Sequence, residues 1–564
     1  MRTTFFGLEI ARKGLQTQQR SLDVTSHNIA NANTPGYSRQ SAVQSATRPW
    51  TIPSMNKPHQ AGQVGTGSEV QEIQRMRDQF IDLQVRNESK ELGYWDAKAD
   101  TLQKLEVVIN EPSNAGLRTV MDQFWESWQE LSKNPESDAV RATVRQRGIA
   151  VAETFRHMDR QLTELQQDIN ATVGVKVDQI NSLARQIRDL NDQIVRIEVD
   201  GSNANDLRDK RDHLMDELSK IVDMSYVEDQ DGSVRITVGG KALVMGTRVN
   251  ELETVPMTST SQYNDLDGNV HEWELDKIKG INTVQWKDGA ALNIRSGELH
   301  ALMESVGYIE NGEVKGIIPD MMREIDHLAN SVVTATNWTH LQGYGLDDTD
   351  ARVFFTQTIL SEAEDTTNDP PIQEYEALAP VRARDMFVDQ EIINDTGKIA
   401  ASRDFIGESG KERVIAGDNQ NALALAELKH NMAVITSREY MRNPQLVELP
   451  GVGVGNFSDN FTIVDKYGND MTVNTSKATF DDFFRGVVGQ LGIDTQEAER
   501  MSLNQEQLLN QQINRRESVS GVSLDEEMAH MIKFQHAYNA AARTMTTMDE
   551  MLDTLINRVG LVGR

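Results

Sequence analysis

There is no cysteine in these 564 residues, which removes disulfides, thiolate catalysis and cysteine metal sites together. A chain without thiols suits transit from a reducing to an oxidising compartment, because it cannot crosslink on the way. Aromatic residues make up only 6%, sparse for a compact enzyme and ordinary for long helices. No stretch approaches the roughly 18 uncharged apolar residues of a membrane-crossing helix. The opening "MRTTFFGLEIARKG" has neither the apolar run nor the small-residue cleavage site of a Sec signal. If the protein leaves the cell, it does so without cleavage. Positive charge is also in deficit: Lys and Arg number 57 against 86 Asp and Glu, for a net charge of −29. Such a surface repels the phosphates of nucleic acids and anionic membranes, so neither is expected as a partner.

Catalytic signatures are missing as well. The sequence contains no HExxH and no GxSxG. His530 and His536 are six residues apart on a helical stretch, about 240° apart in projection, and do not converge on a metal. "GVGVG" at 451–455 leads into strand and turn residues, not into a helix that could hold phosphate. Gly410-Lys411 fails the phosphate-loop pattern, with Phe405 where glycine and Glu412 where Ser or Thr is required. Asp347, Asp348 and Asp350 lack the glycine and distal glutamate of a calcium loop. No catalytic, cofactor-binding or metal residue is assigned, and the chain reads as non-enzymatic.

What the sequence does have is helical patterning. Leu8, Leu15, Leu22 and Ile29 recur every seven residues, a narrow seam of coiled-coil type. At the other end Leu524, Met528, Met531, Tyr538, Met545, Met548, Leu552 and Leu555 mostly follow 3/4 spacing, behind a capping box of Ser523 and Glu526. Both stripes are too narrow to offset the entropy of ordering their helices alone, so both ends are expected to be loose in the monomer. A second seam runs from Phe155 through Met158, Leu162, Leu165, Ile169, Val173, Val177, Ile180, Leu183, Ile187, Leu190 and Ile194 to Ile197. Further helices are expected at 297–341, 418–440 and 479–514.

Between the helices the period changes to two. Val234, Ile236 and Val238 alternate into Gly239-Gly240, a hairpin pattern. The expected fold is mainly α with inserted β domains: a long coiled-coil-like bundle built by the N- and C-terminal parts of the chain. Residues 1–45 form an axial helix and motif that pairs with 515–564. Residues 46–221 form a helical body joined by 297–345 and 415–514. The inserts are a β-rich outer one at 222–296, a strand-bearing one at 346–414 and a small one at 445–475.

The first helix ends in "HNIANANTPGYSRQ". Pro35 and Gly36 suit the two central positions of a type II turn, and Thr34 before proline is pushed out of the helical region. Asn31 and Asn33 tolerate left-handed geometry and can satisfy orphan carbonyls at a helix end. This explains the residue types, but not why a weak helix needs so defined an exit.

That stretch after a leucine heptad, with the "SGVSLDEE" start and "LINRVG" end of the last helix, resembles the bacterial flagellar axial (rod and hook) protein family. Those features alone leave rod, hook and hook-associated members open. "ANDLRDKRDHLMDELSKIV" (204–222), "DGSVRITVGGKALV", "GDNQNALALAEL" (417–428), "TFDDFFRGVVGQLG" (479–492) and "HLQGYGLDDTDARVFF" (340–355) resemble the members at the hook–filament junction. The stretches 256–290 and 445–475 match no such pattern. The resemblance implies a structural junction subunit required for filament assembly, self-associating in a ring between the hook protein and a second junction protein, hook-associated protein 3. It further implies secretion through the flagellar type III export apparatus and an export chaperone on the C-terminal helix. The assembly residues it points to are Leu8, Leu15, Leu22, Asn28, Ile29, Asn31, Pro35, Gly36 and Tyr37 at the first helix. At the last, assembly and chaperone residues are Leu524, Met528, Met531, Tyr538, Met545, Leu552 and Leu555. A hook or distal-rod protein, with a mainly β body and no 155–197 seam, is the alternative. A hydrolase carried on an axial scaffold is a further one, and would need a convergent catalytic cluster in an insert.

Overall fold

The computed structural model describes residues 5–49, 65–109, 116–257, 277–310, 313–347, 352–365, 372–403, 405–408, 411–415, 417–430, 434–435, 462–464, 470–472, 475–476, 478–554 and 556. Helix α1 (Phe6–Ala30) is followed by an antiparallel hairpin, β1 (Gln40–Ala46) and β2 (Ser68–Arg75), which bulges at Val43/Gln44. Then come α2 (Gln79–Ile109), α3 (Leu117–Lys133), α4 (Asp138–Glu198) and α5 (Asn205–Ile221). The β1–β2 hairpin is a feature that the helical patterning of the sequence does not announce, because its strands QSAVQSA and SEVQEIQR are mostly polar and show little apolar alternation.

Helix α4 is one continuous rod of 61 residues, about 90 Å long at 1.5 Å per residue. Its buried positions Val144, Val151, Phe155, Met158, Leu162, Ile169, Val173, Val177, Ile180, Ile187 and Ile194 follow the heptad-like spacing of the predicted seam. Buried polar residues on the same face dock the β segments. Asn181 donates to Leu252 O at 2.8 Å and accepts from Leu252 N at 2.9 Å; Asn191 does the same for Val234, at 2.9 and 3.1 Å. An asparagine amide thus replaces a strand neighbour, satisfying backbone groups that burial would otherwise strand.

The β segment at 222–296 contains β3 (Met224–Glu228), β4 (Val234–Val238), β5 (Lys241–Met245) and β6 (Arg248–Val249) in one antiparallel sheet. A further pair follows, β7 (Leu252–Pro256) with β8 (Asn282–Trp286). The β4–β5 turn has Gly239 and Gly240 at φ 57° and 82°, the double positive φ of a type I′ hairpin. The single helix expected over 297–341 is two, α6 (Glu298–Val306) and α7 (Ile317–Leu341), separated by the hairpin β9 (Tyr308–Glu310) and β10 (Glu313–Lys315). Gly307 and Gly316, at φ 118° and 145°, break the helix there. Strands β11 (Ile359–Asp365), β12 (Ile372–Leu378), β13 (Phe405–Glu408) and β14 (Lys411–Val414) pair as two hairpins around a short helix α8 (Gln390–Asn394).

The helix expected at 418–440 is only α9 (Gln420–Glu427) with a 3-10 turn, Leu428–His430; part of the remainder lies outside the described residues. Strand β15 (Val434–Ile435) pairs with β18 (Thr475–Ser476), and β16 (Thr462–Val464) with β17 (Asp470–Thr472). Two long helices close the chain, α10 (Phe480–Ser520) and α11 (Leu524–Asp553). Thr479 and Ser523 cap them, each accepting a bond from the amide three residues on. Helix α10 packs on α2 and α11 on α1, so the two ends of the chain meet. Where body and inserts meet, Phe124, Trp128, Phe354 and Phe355 are fully buried, with ring centroids 5.0–6.1 Å apart.

Candidate assembly site

The terminal helices run antiparallel in a register set by small residues. A Cβ built at Gly7 would lie 2.9 Å from the end of Met548, and one at Gly14 would lie 4.0 Å from Ala541 Cβ. Asn28 bonds Glu527 at 3.1 Å. Each step of seven or fourteen along α1 is matched by an equal step back along α11. The contact line is therefore Gly7, Gly14 and Asn28, one residue ahead of the leucine heptad. Leu8, Leu15, Leu22 and Ile29 flank it and are half-buried. On α11, Met531, Tyr538, Met545 and Leu552 are likewise half-buried, while Leu524 and Met528 are 49% and 55% exposed. Leu555 lies outside the described residues.

At its far end α1 stops as its composition requires. Asn31 N donates to His27 O at 3.1 Å, and Asn31 Nδ2 donates to the same carbonyl at 3.0 Å. Asn31 does this at φ −104°, not in the left-handed region. Tyr37 N donates to Thr34 O at 3.2 Å and Gly36 sits at φ 76°, the geometry of a type II turn with Pro35 leading. A Cβ at Gly36 would stand 2.9 Å from His213 Cβ on α5, so glycine is required by contact as well as by φ.

The turn brings its polar groups onto Asn28, which is 1% exposed. Asn28 Oδ1 accepts from Tyr37 Oη at 2.8 Å and Gln40 N at 3.0 Å, while Nδ2 donates to Gln40 O at 2.8 Å and Glu527 Oε2 at 3.1 Å. All four hydrogen-bonding sites of the amide are used. Arg39 completes the knot. Its Nε donates to Glu527 Oε1 at 2.7 Å and its guanidinium reaches Glu526 at 3.0 Å. Its backbone N donates to Ser520 O at 2.9 Å and its O accepts from Met76 N at 2.8 Å. One residue thus holds α11 by its side chain and both chain crossings into the body by its backbone. Burial, with Asp206, Asp209 and Glu527 nearby, raises the Tyr37 phenol and keeps it a donor.

Below the knot lies a charged ladder. Ser38 N donates to Asp209 at 2.9 Å, and Arg75 reaches Asp209 and Asp212, each at 2.9 Å. Arg77 pairs with Asp82 at 2.6 Å, Arg86 with Asp216 at 2.8 Å, and Arg516 with Asp216 at 2.6 Å. Burial alone would raise the Asp212 carboxyl, but Arg77, Arg75, Arg86 and Arg211 hold it well below the ordinary carboxylate range. Asp209, Asp212 and Asp216 follow 3/4 spacing on one face of α5. In sequence that face reads as a solvated one. The ladder was accordingly missed, as were Arg39, Glu527 and the two contact glycines; only the heptad spacing of Gly7 and Gly14 signalled them.

Three segments that carried the family resemblance (28–40, 204–222 and 520–527) therefore converge on one joint. Comparison with known proteins agrees. The family described as "Flagellar hook-associated protein FlgK helical domain" matches residues 102–355. "Flagella basal body rod protein" matches 8–37, and "Flagellar basal body rod FlgEFG protein C-terminal" matches 516–558. Flagellar hook-associated protein 1 of Bacillus subtilis (strain 168) is 33% identical, covering all of both chains. The chain belongs to the flagellar hook-associated protein 1 family. The Escherichia coli (strain K12) member is 26% identical over 97% of this chain and 98% of its own. A solved structure, the flagellar hook junction protein FlgK from Burkholderia pseudomallei, shares the fold at TM-score 0.54 and 14% identity, over 78% of this chain and all of that one. Hook-associated protein 1 is a structural protein of the flagellum at the hook–filament junction, and membership assigns this chain that role. Among the described residues, no helix is long and apolar enough to cross a membrane.

Proposed function

We propose that this chain self-associates in a ring between hook and filament, with α1 and α11 lining the inner tube and the β segments facing outward. The paired ends support this reading. Contacts along the length of α1 and α11 leave Leu524, Met528 and Ile532, one turn apart on α11, exposed, an apolar strip that needs covering by neighbouring subunits. The 61-residue α4 rod argues against the mainly β body of a hook or distal-rod protein. Its neighbours in this reading are the hook protein on one side and hook-associated protein 3 on the other. The chain leaves through the type III export apparatus, its C-terminal helix held by an export chaperone that covers its apolar residues, Leu524, Met528, Met531, Tyr538, Met545 and Leu552 among them. The lack of cysteine suits that passage. Deletion of the gene tests the function: hooks should remain, with filament protein secreted but unpolymerised. Normal filaments on the deletion strain would sink it.

A further inference from the structure

The paired terminal helices and their hairpin are joined to the helical body by two short connectors at one level. Residues 76–78 run from β2 into α2, and 521–523 run from α10 into α11. Arg39 sits between them, bonded through its backbone to Ser520 and Met76. What fills the joint is polar, and hollows flank it. One, of about 570 Å³, lies between the Thr34–Tyr37 turn and α4–α5. Another, of about 580 Å³, lies between α1 and residues 200–203.

The ladder in this joint is redundant. Arg75 touches both Asp209 and Asp212. Arg77, bonded to Asp82, also stands 3.7 Å from Asp209 and 3.5 Å from Asp212. Arg86 reaches Asp212 at 3.5 Å besides Asp216, and Arg516 reaches Asp82 at 3.9 Å besides Asp216. An apolar contact would have to open a void to shift, whereas a charge with a second partner in reach can shift without being left bare. We propose that this joint is a pivot: the terminal unit tilts on the body about the two connectors by exchange of partners along the Arg75/Arg77–Asp209/Asp212 ladder. The hollows give the turn and α1 room to move, and the connectors absorb the backbone change.

The inference rests on the junction reading, because the terminal unit is expected to be ordered only in the assembly. The absence of native cysteine makes the test direct. Spin labels on Asp23→Cys of α1 and Gln193→Cys of α4, both exposed, report the tilt by pulsed electron resonance. The labelled full-length chain would be seated on purified hooks lacking their own junction protein. A control pair, Val175→Cys with Gln193→Cys, lies within α4. The tilt distance should be at least about twofold broader than the control. Asp209→Asn keeps the Arg75–Asp212 pair and removes the charge at Asp209, so that Arg75 and Arg77 no longer have two carboxylates to exchange between there, and should narrow the distribution to the control width. A native distribution as narrow as the control overturns the pivot while leaving the junction role intact. So does a broad one that Asp209→Asn does not change. Failure of the unlabelled native chain to seat on hooks overturns the junction reading itself, and the pivot with it.

Discussion

Asn28 and Glu527 stand 499 residues apart in the chain and share a hydrogen bond of 3.1 Å. Glu527 is 2% exposed and also pairs with Arg39, so the start of the last helix is bonded to the end of the first. A buried carboxylate with a charged partner and an amide partner is costly to leave half-made.

Replacing Glu527 with alanine should therefore weaken docking of α11 by about 2 kcal/mol, the order of a charge-assisted hydrogen bond. The body does not use this contact, so its thermal unfolding should stay within a degree or so of the parent. Incorporation at hook tips should drop, as read by counting filaments after the purified variant is supplied to cells lacking the native chain. Undiminished filament counts would remove the clasp from the assembly mechanism.

The glycine line makes a second, graded test. At Gly14 an added Cβ meets Ala541 at 4.0 Å, an ordinary contact. Alanine there should be tolerated or mildly stabilising, since it is the better helix former by about 1 kcal/mol. Leucine should push the helices apart at a cost of about 1–3 kcal/mol, as overpacking does elsewhere. Amide exchange of the assembled protein should show α11 protected in Gly14→Ala and exposed in Gly14→Leu. Equal protection in both would mean the helices do not approach along this line.

The α4 seam and the Gly239-Gly240 hairpin were legible because apolar period and turn chemistry are local properties. The joint was legible only in part. Asn28, Asn31, Pro35, Gly36 and Tyr37 announce a helix exit and a turn through their backbone preferences. The bonds that anchor this stretch elsewhere, Asn28 and Arg39 to Glu527 and Ser38 to Asp209, span 499, 488 and 171 residues, and a buried ion ladder looks in sequence like any charged helix face. The 3/4 spacing includes Leu524 and Met528 in the apolar stripe of α11 but does not tell that they stay exposed in the single chain, while Glu527, which the apolar pattern passes over, is the buried contact with α1.

A third prediction concerns pH. His340 is fully buried, bonded through Nδ1 to Arg352 O at 2.6 Å and accepting at Nε2 from Ala400 N at 2.9 Å. Burial pushes its pKa down to about 4, with Arg141 and Arg352 adding to the effect against the bond to Arg352 O. The unfolded chain, titrating near 6.5, then binds the proton more readily than the folded one. The neutral imidazole's contribution is full above pH 6.5 and lost as pH falls toward 4, about 3 kcal/mol in all. The melting temperature should fall across that window, and His340→Asn should flatten the fall. Equal slopes for parent and variant would show that His340 is not the group being titrated.

The fourth prediction separates folding from assembly. Met545 and Leu552 are half-buried on α11, close along the helix to Met548, which meets Gly7, and they contribute nothing to the core of the body. In the monomer, whose ends are expected to be loose, changing both to serine should leave thermal unfolding of the body unaltered. In the assembly each change removes roughly 2 kcal/mol of burial, repeated at every subunit, so incorporation should fail. The same stripe is the proposed chaperone surface, since an amphipathic helix offers its apolar side to a groove. Chaperone binding and secretion should therefore fall too, and a simple loss of filaments in cells would not tell the two apart. Supplying purified double variant from outside bypasses export altogether. If that protein restores filament growth on hook-bearing cells as well as the parent does, the stripe is not the assembly surface. Chaperone binding would then be the only role left for it.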